Sequence, residues 1–245
     1  MSEQVPVITV RNLVKKFGSF VANDHLNFDV YQGEIFGFLG ANGAGKTTAM
    51  KILCGLSAPT SGEVKVAGFD IYKEPEKVKR NIGYMSQKFS LYEDLTISEN
   101  IRFFSGIYGI STKDRKAKQE ILLKSLDIES AKDSLIGSLP LGWKQKLAFS
   151  LALFHQPAVV FLDEPSSGVD PLTRRTFWDL IYEVAHQGIT IFVTTHYMDE
   201  AEYCNRVAIM SEGKIVALDT PASLKEQYKT DSMDGVFLKI ARNKE

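Results

Sequence analysis

The residues Gly40-Ala-Asn-Gly-Ala-Gly-Lys-Thr47 set the architecture of this chain. They satisfy the pattern G-x-x-x-x-G-K-[ST], whose glycines let successive backbone N–H groups point inward around a phosphate. Before them, Glu34–Leu39 form an apolar run typical of a buried strand, and Gly45–Leu53 are predicted to be helical. Because a helix N-terminus adds partial positive charge, this strand, turn and helix predict a phosphate-binding loop.

The residues of this loop are expected to have separate roles. Lys46 supplies a positive charge for the β- and γ-phosphates, and the Thr47 hydroxyl is suited to Mg²⁺. The predicted binding set is Gly40, Asn42, Gly43, Ala44, Gly45, Lys46, Thr47 and Thr48. A Gly-rich turn without a ligand is the alternative, and the flanking strand and helix argue against it. The loop alone leaves a kinase, a GTPase and a transporter ATPase open.

Two carboxylates follow the apolar run Ala158–Leu162. Asp163 and Glu164 would then stand at the strand ends where α/β sheets bind their ligands. Asp163 is expected to hold Mg²⁺ through water, and Glu164 to polarise an attacking water. A solvated turn after a core strand is the plainer alternative, which the upstream phosphate loop weakens. His196 follows the run Ile189–Thr194 and is predicted to donate a hydrogen bond to the γ-phosphate at the same edge.

Short apolar runs alternate with helical stretches along the chain, which predicts an α/β fold with a mainly parallel core sheet. No strand pattern is evident between about 96 and 154, so this stretch is predicted to be an inserted helical subdomain. The core, with an antiparallel β subdomain, is assigned to 1–95 and 155–220. A C-terminal helix and tail are assigned to 221–245, and the whole chain is taken as one domain.

Composition excludes some function classes. The formal net charge of −1 gives no basic excess for neutralising nucleic-acid phosphates, so no nucleic-acid partner is expected. Cys54 and Cys204 stand outside any metal-ligand spacing. No stretch approaches the roughly 20 apolar residues that cross a bilayer as a helix, and residues 1–11 lack a signal-peptide pattern. If the protein acts at a membrane, a partner is expected to hold it there.

Six features, in their order along the chain, resemble the nucleotide-binding domains of ABC transporters. They are Gly40–Thr48, Gln87 in Tyr84-Met-Ser-Gln87, Leu139-Pro-Leu-Gly-Trp-Lys-Gln-Lys-Leu147, Asp163-Glu164, Ser166-Ser-Gly-Val-Asp170, and His196. The resemblance implies a P-loop NTPase that binds ATP and Mg²⁺. It also implies a head-to-tail dimer, in which the signature segment of one subunit covers the ATP of the other. Hydrolysis would drive transmembrane permease subunits from the cytoplasmic face of the membrane, where the chain is expected to lie as a peripheral subunit.

Further roles are implied by the same resemblance. Gln87 is expected to touch Mg²⁺ and the lytic water, and Asp170 to meet the opposite subunit. Phe17 is expected to stack on adenine, for which it offers a flat apolar face. An ordinary strand-end glutamine and a plain core phenylalanine are the alternatives for Gln87 and Phe17.

The signature segment departs from the family pattern Leu-Ser-Gly-Gly-Gln, because this chain has Leu139-Pro-Leu-Gly-Trp143. The serine hydroxyl that bonds the γ-phosphate is missing, and Pro140 has no backbone N–H. The amides of Leu141 and Gly142 are expected to face the phosphate across the dimer. Two interpretations stay open: hydrolysis slower than in a relative with Ser-Gly at these positions, or a variant that is normal for its branch.

The branch is indicated by Ser167-Gly-Val-Asp-Pro171 and Thr195–Glu202, which resemble the ATPases of ABC-2 type exporters. Importer ATPases remain possible, and so do a homodimer and a heterodimer. The loop Lys88–Leu95, which includes Phe89, is predicted to line a groove for a short helix of the membrane subunit. The alternative class is a soluble ABC ATPase that works as a mechanical module in a non-transport complex. A small-molecule kinase does not account for the signature segment or His196.

Overall fold

The computed structural model of the chain describes residues 5–88 and 90–242. Its strands and helices, in chain order, are β1 (Pro6–Phe17), β2 (Phe20–Tyr31), β3 (Ile35–Gly40), α1 (Lys46–Leu53), β4 (Ser61–Val66), β5 (Phe69–Asp70), α2 (Pro75–Asn81), β6 (Ile82–Met85), α3 (Ile97–Ile107), α4 (Thr112–Ser125), α5 (Leu141–Ala152), β7 (Val159–Asp163), α6 (Pro171–His186), β8 (Thr190–Thr195), α7 (Met198–Ala201), β9 (Arg206–Ser211), β10 (Lys214–Asp219), α8 (Pro221–Gln227) and α9 (Met233–Arg242). Two 3₁₀ turns, Glu129–Ala131 and Ile136–Ser138, precede α5.

The central sheet has the strand order β10-β9-β3-β8-β7-β6. Its pairs are parallel except for β9 and β10, among the strands of the described residues. The residues of β3, β7 and β8 are buried throughout, as expected for parallel strands covered on both faces. The predicted mainly parallel core sheet is therefore confirmed. The carboxyl ends of β3, β6, β7 and β8 meet at one edge of it.

A second, antiparallel sheet has the order β2-β1-β4-β5. Its long hairpin turns at Gly18-Ser19, so Phe17 and Phe20 are cross-strand partners. The apolar runs Val7–Leu13 and Leu26–Val30 predict two strands from the sequence. The observed hairpin strands are longer, because several register shifts let the pairing continue past interruptions in the apolar pattern. Phe28 of this sheet stacks on Phe36 of the central sheet, with ring centroids 5.6 Å apart. Such apolar contacts between the two sheets form one core.

Between β6 and β7 the chain forms α3, α4 and α5, and residues 90–154 contain no strand. These helices share an apolar cluster that includes Ile97, Leu122 and Leu147. Helix α3 begins with a reciprocal cap, in which the Thr96 side chain accepts from the Glu99 N–H and the Glu99 carboxylate accepts from the Thr96 N–H. The boundaries of a helical subdomain at about 96 and 154 stay a prediction, which the separate cluster supports.

The structure differs from expectation at two helices. Residues predicted as a tail after Pro221–Tyr228 form α9, which buries Met233, Val236 and Ile240. Their spacing of three and four residues gives a helical stripe that contacts α7 and α8. Helix α2 was not predicted because Val78 is its only buried residue, so the apolar pattern is too sparse to indicate a helix.

Within the described ranges, no helix combines the length and the apolar character needed to cross a membrane. Phe89, which was predicted to line the groove for a membrane subunit, lies outside the described residues.

Candidate functional site

The phosphate loop joins β3 to α1, and its glycines are required by close backbone contacts. Gly45 has φ of 100°, and a Cβ there would lie 2.3 Å from the carbonyl oxygen of Ala22. A Cβ at Gly40 would lie 2.5 Å from the carbonyl oxygen of Met210. Helix α1 begins at Lys46, directly after the loop, so its N-terminus faces whatever the loop binds. The loop therefore has the backbone of an anion site.

The predicted loop residues line one cavity. It is bounded by Phe20, Ala22, Asn42, Gly43, Gly45, Lys46, Thr47, Thr48 and Glu164. Ala44 is buried and Gly40 ends β3, so these two predicted residues belong to the loop and do not line the cavity.

Lys46 is buried within the loop, with 4% of the residue exposed. Its Nζ donates to the carbonyl oxygens of Gly40 at 2.7 Å and Ala41 at 3.1 Å, and lies 3.8 Å from Glu164 Oε1. Burial lowers the pKa of Lys46, while Glu164 and Asp163 act in the opposite direction. A bound phosphate would add negative charge and so favour the protonated ammonium.

Asp163 ends β7 and is buried, and its Oδ1 accepts a hydrogen bond from Thr194 Oγ1 at 2.7 Å. Thr47 Oγ1 lies 3.5 Å from the same oxygen. The described residues hold no cluster of three or more His, Cys, Asp or Glu side chains suited to a metal. Since Mg²⁺ is usually held by one or two carboxylates, waters and substrate phosphates, Thr47 and Asp163 fit such an ion without a protein cage.

Glu164 brings the predicted catalytic side chains together. Its Oε2 accepts from Gln87 Nε2 at 3.0 Å. The same oxygen lies 3.1 Å from His196 Nδ1, an ion-pair distance without hydrogen-bond alignment. Glu164 has φ of 47°, in the left-handed region, and its N–H donates to the Thr194 carbonyl at 3.1 Å. The backbone strain costs about 1–3 kcal/mol and turns the side chain away from the strand direction, toward this cluster.

Phe17 lies at the tip of the β1–β2 hairpin and is 56% exposed, so it is not a core residue. The ammonium of Lys15 lies 4.8 Å from the centroid of its ring. Its cross-strand partner Phe20 is also exposed and lines the cavity at the phosphate loop, which Phe17 does not. The structure thus presents two aromatic rings, Phe17 and Phe20, at the position where the sequence predicted Phe17 alone to stack on adenine.

The signature segment and Asp170 lie together, away from the phosphate loop. Leu141, Gly142 and Asp170 line an open cavity with Pro140, Trp143 and Thr173, and this cavity shares no lining residue with the one at the loop. Pro140 precedes α5, so the helix begins at Leu141. One chain therefore does not bring the two predicted parts of the nucleotide site together.

Asp170 also has a local role in its own chain. Its carboxylate caps α6 by accepting from the Thr173 N–H at 3.0 Å and from Thr173 Oγ1 at 2.5 Å. These hydrogen bonds lower the pKa of Asp170.

Two residues at the site were missed by the sequence analysis. Thr194 bonds Asp163, and its position follows only from the parallel register in which Asp163 pairs with Thr194. Phe20 was missed because an aromatic residue next to a turn has no distinguishing pattern. Its pairing with Phe17 across a two-residue turn was the available signal.

This fold and site define a class of nucleotide-binding ATPase, and comparison with known proteins places the chain within it. Residues 23–167, more than half of the chain, match the family model described as ABC transporter. The chain belongs to the ABC transporter family, as the ATP-binding domain of its members.

Two curated relatives are informative. The chain is 47% identical over 239 residues to the "Probable multidrug ABC transporter ATP-binding protein YbhF" of Escherichia coli (strain K12), covering 96% of this chain and 41% of that protein. It therefore spans less than half the length of that relative. It is 36% identical over 223 residues to the "Nod factor export ATP-binding protein I" of Burkholderia orbicola (strain AU 1054), covering 91% of this chain and 73% of that protein.

Solved structures show the same fold. An "ATP binding subunit of ABC transporter" superimposes with a TM-score of 0.86 at 28% identity, covering 96% of this chain and 99% of that one. The cassette MJ0796, solved as a dimer bound to ADP and Pi, gives a TM-score of 0.77 at 25% identity over 87% of this chain and 98% of that one. The P-loop NTPase fold class is confirmed.

Proposed function

We propose that this chain is the ATP-hydrolysing subunit of an ABC-2 type exporter, which works as a head-to-tail dimer to drive separate transmembrane permease subunits. The observation that carries the proposal is the cluster around Glu164, where Gln87 and His196 lie 3.0 and 3.1 Å from one carboxylate oxygen and Lys46 lies 3.8 Å from the other. A carboxylate so placed beside a phosphate loop is suited to activating water against a γ-phosphate.

The residues divide the work. Lys46 and the loop amides bind the phosphates, and Glu164 accepts the proton of the attacking water. Gln87 orients that water, and His196 donates to the γ-phosphate. Thr47 and Asp163, with Gln87 beside them, would hold Mg²⁺, which supplies positive charge to the phosphate oxygens when it is bound. Because Thr194 fixes Asp163, that carboxylate keeps one orientation throughout.

The base of the nucleotide is proposed to stack at the hairpin tip. Phe17 and Phe20 are directly opposed across two antiparallel strands, so both side chains lie on one face of the hairpin. Both rings are exposed. A base that stacks on an exposed aromatic ring removes apolar surface of the ring from water, which favours binding. We assign adenine stacking to Phe17, with Phe20 packed beside it at the phosphate cavity.

Association in pairs is supported by the separation of the two cavities. Leu141 and Asp170 are exposed and Gly142 is partly exposed, and the α5 N-terminus beside them offers amides to a phosphate. A second copy, or a different ATPase chain, turned head to tail would place this surface over the phosphate loop. The dimer of MJ0796 shows that a cassette of this fold pairs.

Coupling to a permease is proposed through the loop after Gln87. Tyr92 there packs edge-on against Phe103 of α3, with centroids 4.6 Å apart, and both rings are partly exposed. Glu93 pairs with Lys144 of α5 at 2.8 Å. The surface thus combines aromatic and charged groups suited to a short amphipathic helix of a membrane subunit. The name of the Nod factor relative supports export. Coupling to a permease would place the chain at the cytoplasmic face of the membrane.

Steady-state ATP hydrolysis tests this function. We expect Glu164→Gln to lower kcat by about 100-fold or more while ATP still binds, because the glutamine cannot accept the proton. Glu183→Gln, an acid on α6 away from the nucleotide cluster, is the matched control and should leave kcat unchanged. Equal turnover in the two variants would contradict the proposed role.

Co-expression tests the transporter assignment. A membrane protein with several spanning helices, co-expressed from a neighbouring gene, should retain the chain in the membrane fraction. Retention in a soluble complex instead would favour the mechanical-module class.

A further inference from the structure

A buried acid outside the nucleotide cluster connects the loops that carry that cluster. Glu200 lies on α7, just after His196, and none of the residue is exposed. Its Oε1 accepts a hydrogen bond from the Ser166 hydroxyl and lies 3.6 Å from Arg174 Nε, an ion-pair distance beyond hydrogen-bond reach. Its Oε2 has no hydrogen-bond partner among the described residues. Burial raises the pKa of Glu200, against smaller opposing effects of Ser166, Thr195 and Arg174.

The groups around Glu200 belong to three functional segments. Ser166 is two residues past Glu164, on the turn after β7. Arg174 is in the first turns of α6, the helix that Asp170 caps. Thr195 ends β8 and directly precedes His196. The carboxylate therefore contacts the turn that holds the proposed base and the helix that the dimer-facing aspartate caps, and Glu200 follows the γ-phosphate histidine by four residues in the chain.

A second route leads from Arg174 to His196. The Arg174 guanidinium lies 4.2 Å from the centroid of the Tyr197 ring, whose own centroid is 4.2 Å from that of His196. The Tyr197 N–H donates to Thr195 Oγ1 at 3.0 Å, which fixes the turn between β8 and α7. Arg174 thus contacts Tyr197 on one side, while its Nη1 donates to Asp199 Oδ2 at 3.3 Å and its Nε lies 3.6 Å from Glu200.

The energetics of the Glu200 ion pair favour a role in positioning its neighbours over a role in stability. A buried ion pair loses hydration that its Coulombic attraction barely offsets, so its net contribution to stability is small. The Ser166 hydroxyl and the Arg174 charge nevertheless act on the same carboxylate oxygen, so this acid constrains the positions of both groups.

We propose that Glu200 is a positioning residue for ATP hydrolysis, which fixes the loops of Glu164, Asp170 and His196 relative to one another through Ser166 and Arg174. The proposal rests on the proposed function, since it concerns the same reaction. It assigns Glu200 no contact with nucleotide. Displacement of His196 and Glu164 by about 1 Å is enough to reduce turnover by about 100-fold.

The central variant is Glu200→Gln, which keeps the size of the side chain and can still accept from Ser166 but no longer pairs with Arg174. We expect kcat to fall about 10-fold or more and the KM for ATP to stay within about twofold, because Glu200 does not line the phosphate cavity. Glu202→Gln is the matched control, since this neighbouring acid is exposed and pairs with Lys225 at 2.7 Å, away from the cluster. A kcat per folded protein equal to that of the control would overturn the proposal.

A double-mutant cycle separates positioning from general stability. If Glu200 acts through His196, Glu200→Gln should lower kcat much less in a His196→Ala background than in the wild type. Additive losses would overturn the proposal.

Imidazole NMR gives a readout that does not depend on turnover. The His196 resonance, assigned by its loss in His196→Ala, should shift in Glu200→Gln and stay in place in Glu202→Gln. An unshifted resonance would overturn the proposal. A wild-type chain that binds ATP and does not hydrolyse it would instead contradict the proposed function, while the NMR comparison would still test Glu200.

A milder variant covers the case in which Glu200→Gln does not fold. Ser166→Ala removes one hydroxyl and leaves the carboxylate paired with Arg174. A fall of about threefold in kcat, with the same shift of the His196 resonance, would support the proposal. Wild-type turnover together with an unshifted resonance would overturn it.

Discussion

The phosphate-loop edge and the signature face differ in how much of the nucleotide site each can form within one chain. We define the first as the cluster of Lys46, Asp163, Glu164 and His196, and the second as the cavity surface of Pro140–Trp143 with Asp170. At the edge, Glu164 lies 3.8 Å from Lys46 and 3.1 Å from His196, and Thr194 fixes Asp163, the acid that ends β7. At the face, exposed apolar side chains surround a helix N-terminus that has no side-chain cap among the described residues.

This difference indicates a division of labour. The chemistry of hydrolysis depends on groups that one fold holds in place. In the proposed function, the signature face contributes only when another subunit supplies a phosphate to it. Changes at the phosphate-loop edge should therefore reduce ATP binding or the hydrolysis step in a single chain. Changes at the signature face should alter only the properties that depend on association of two subunits.

The largest effect on ATP binding is expected at Gly45, where the loop touches the hairpin. Gly45→Ala would combine a left-handed φ with a Cβ 2.3 Å from the Ala22 carbonyl oxygen. Strain of about 2 kcal/mol or more should weaken ATP binding about 30-fold or more. A fluorescent ATP analogue titrated into the purified chain measures this.

Gly43→Ala is the matched control for that variant. Gly43 also has a positive φ, of 83°, but a Cβ added there would meet nothing within 4 Å among the described residues, so only the backbone strain applies. Its loss of affinity should be several-fold smaller. Equal losses in the two variants would mean that the contact with Ala22 does not shape the loop.

The next effect is expected at Gly142 of the signature face. A Cβ there would lie 2.9 Å from Thr173 Cγ2 and push α5 away from α6. Overpacking of this kind costs about 1–3 kcal/mol, so Gly142→Ala should lower ATPase turnover about 10-fold. ATP binding to the single chain should stay within about twofold.

A compensating change tests the cause. Thr173→Ser removes the Cγ2 that the new methyl group would meet and keeps the hydroxyl that bonds Asp170. Gly142→Ala with Thr173→Ser should recover most of the turnover. Failure to recover would show that the helix spacing is not the reason for the loss.

A smaller change is expected from restoring the family signature. Pro140→Ser with Leu141→Gly returns the hydroxyl and a flexible backbone to the α5 N-terminus. If the missing hydroxyl slows hydrolysis, kcat should rise about threefold, the value of one modest hydrogen bond, with ATP binding to the single chain unchanged. Turnover that stays the same or falls would favour a variant that is normal for its branch.

The smallest effect is the dependence of stability on pH at Glu200. Its pKa is raised in the folded chain above the ordinary value of 4.5, so the folded state binds this proton more tightly than the unfolded state does. The free energy of unfolding should therefore fall as the pH rises from 4.5 through the folded pKa, relative to Glu200→Gln. Urea unfolding of both chains at several pH values measures the difference. A wild-type advantage that grows with pH would contradict the sign.

The edge was more predictable from sequence than the face. Gly40–Thr47 and Asp163-Glu164 follow apolar strands, and parallel strands bring their carboxyl ends together, so their meeting follows from local pattern. Thr194 and Phe20 required the strand register, which single-chain periodicity does not give. Glu200 contacts Ser166, which lies 34 positions earlier in the chain. Glu200 itself is on a helix of only four residues. No local pattern marks such a contact.

Element ends were less predictable than element types. The sequence pattern of Lys144–Phe154 predicts a helix from Lys144, whereas α5 begins at Leu141, because Pro140 suits the position before a helix. The face could be described from sequence only through the family resemblance, since the side chains of Pro140 and Leu141 offer no hydrogen-bond donor to a phosphate.

The association state of Glu164→Gln tests the central claim most directly. Light scattering on the purified variant should give the monomer mass without nucleotide and twice that mass with ATP and Mg²⁺, because unhydrolysed ATP would stay between two signature faces. Lys46→Ala added to the same chain should remain a monomer under both conditions. A Glu164→Gln chain that binds ATP tightly and remains a monomer would contradict the account.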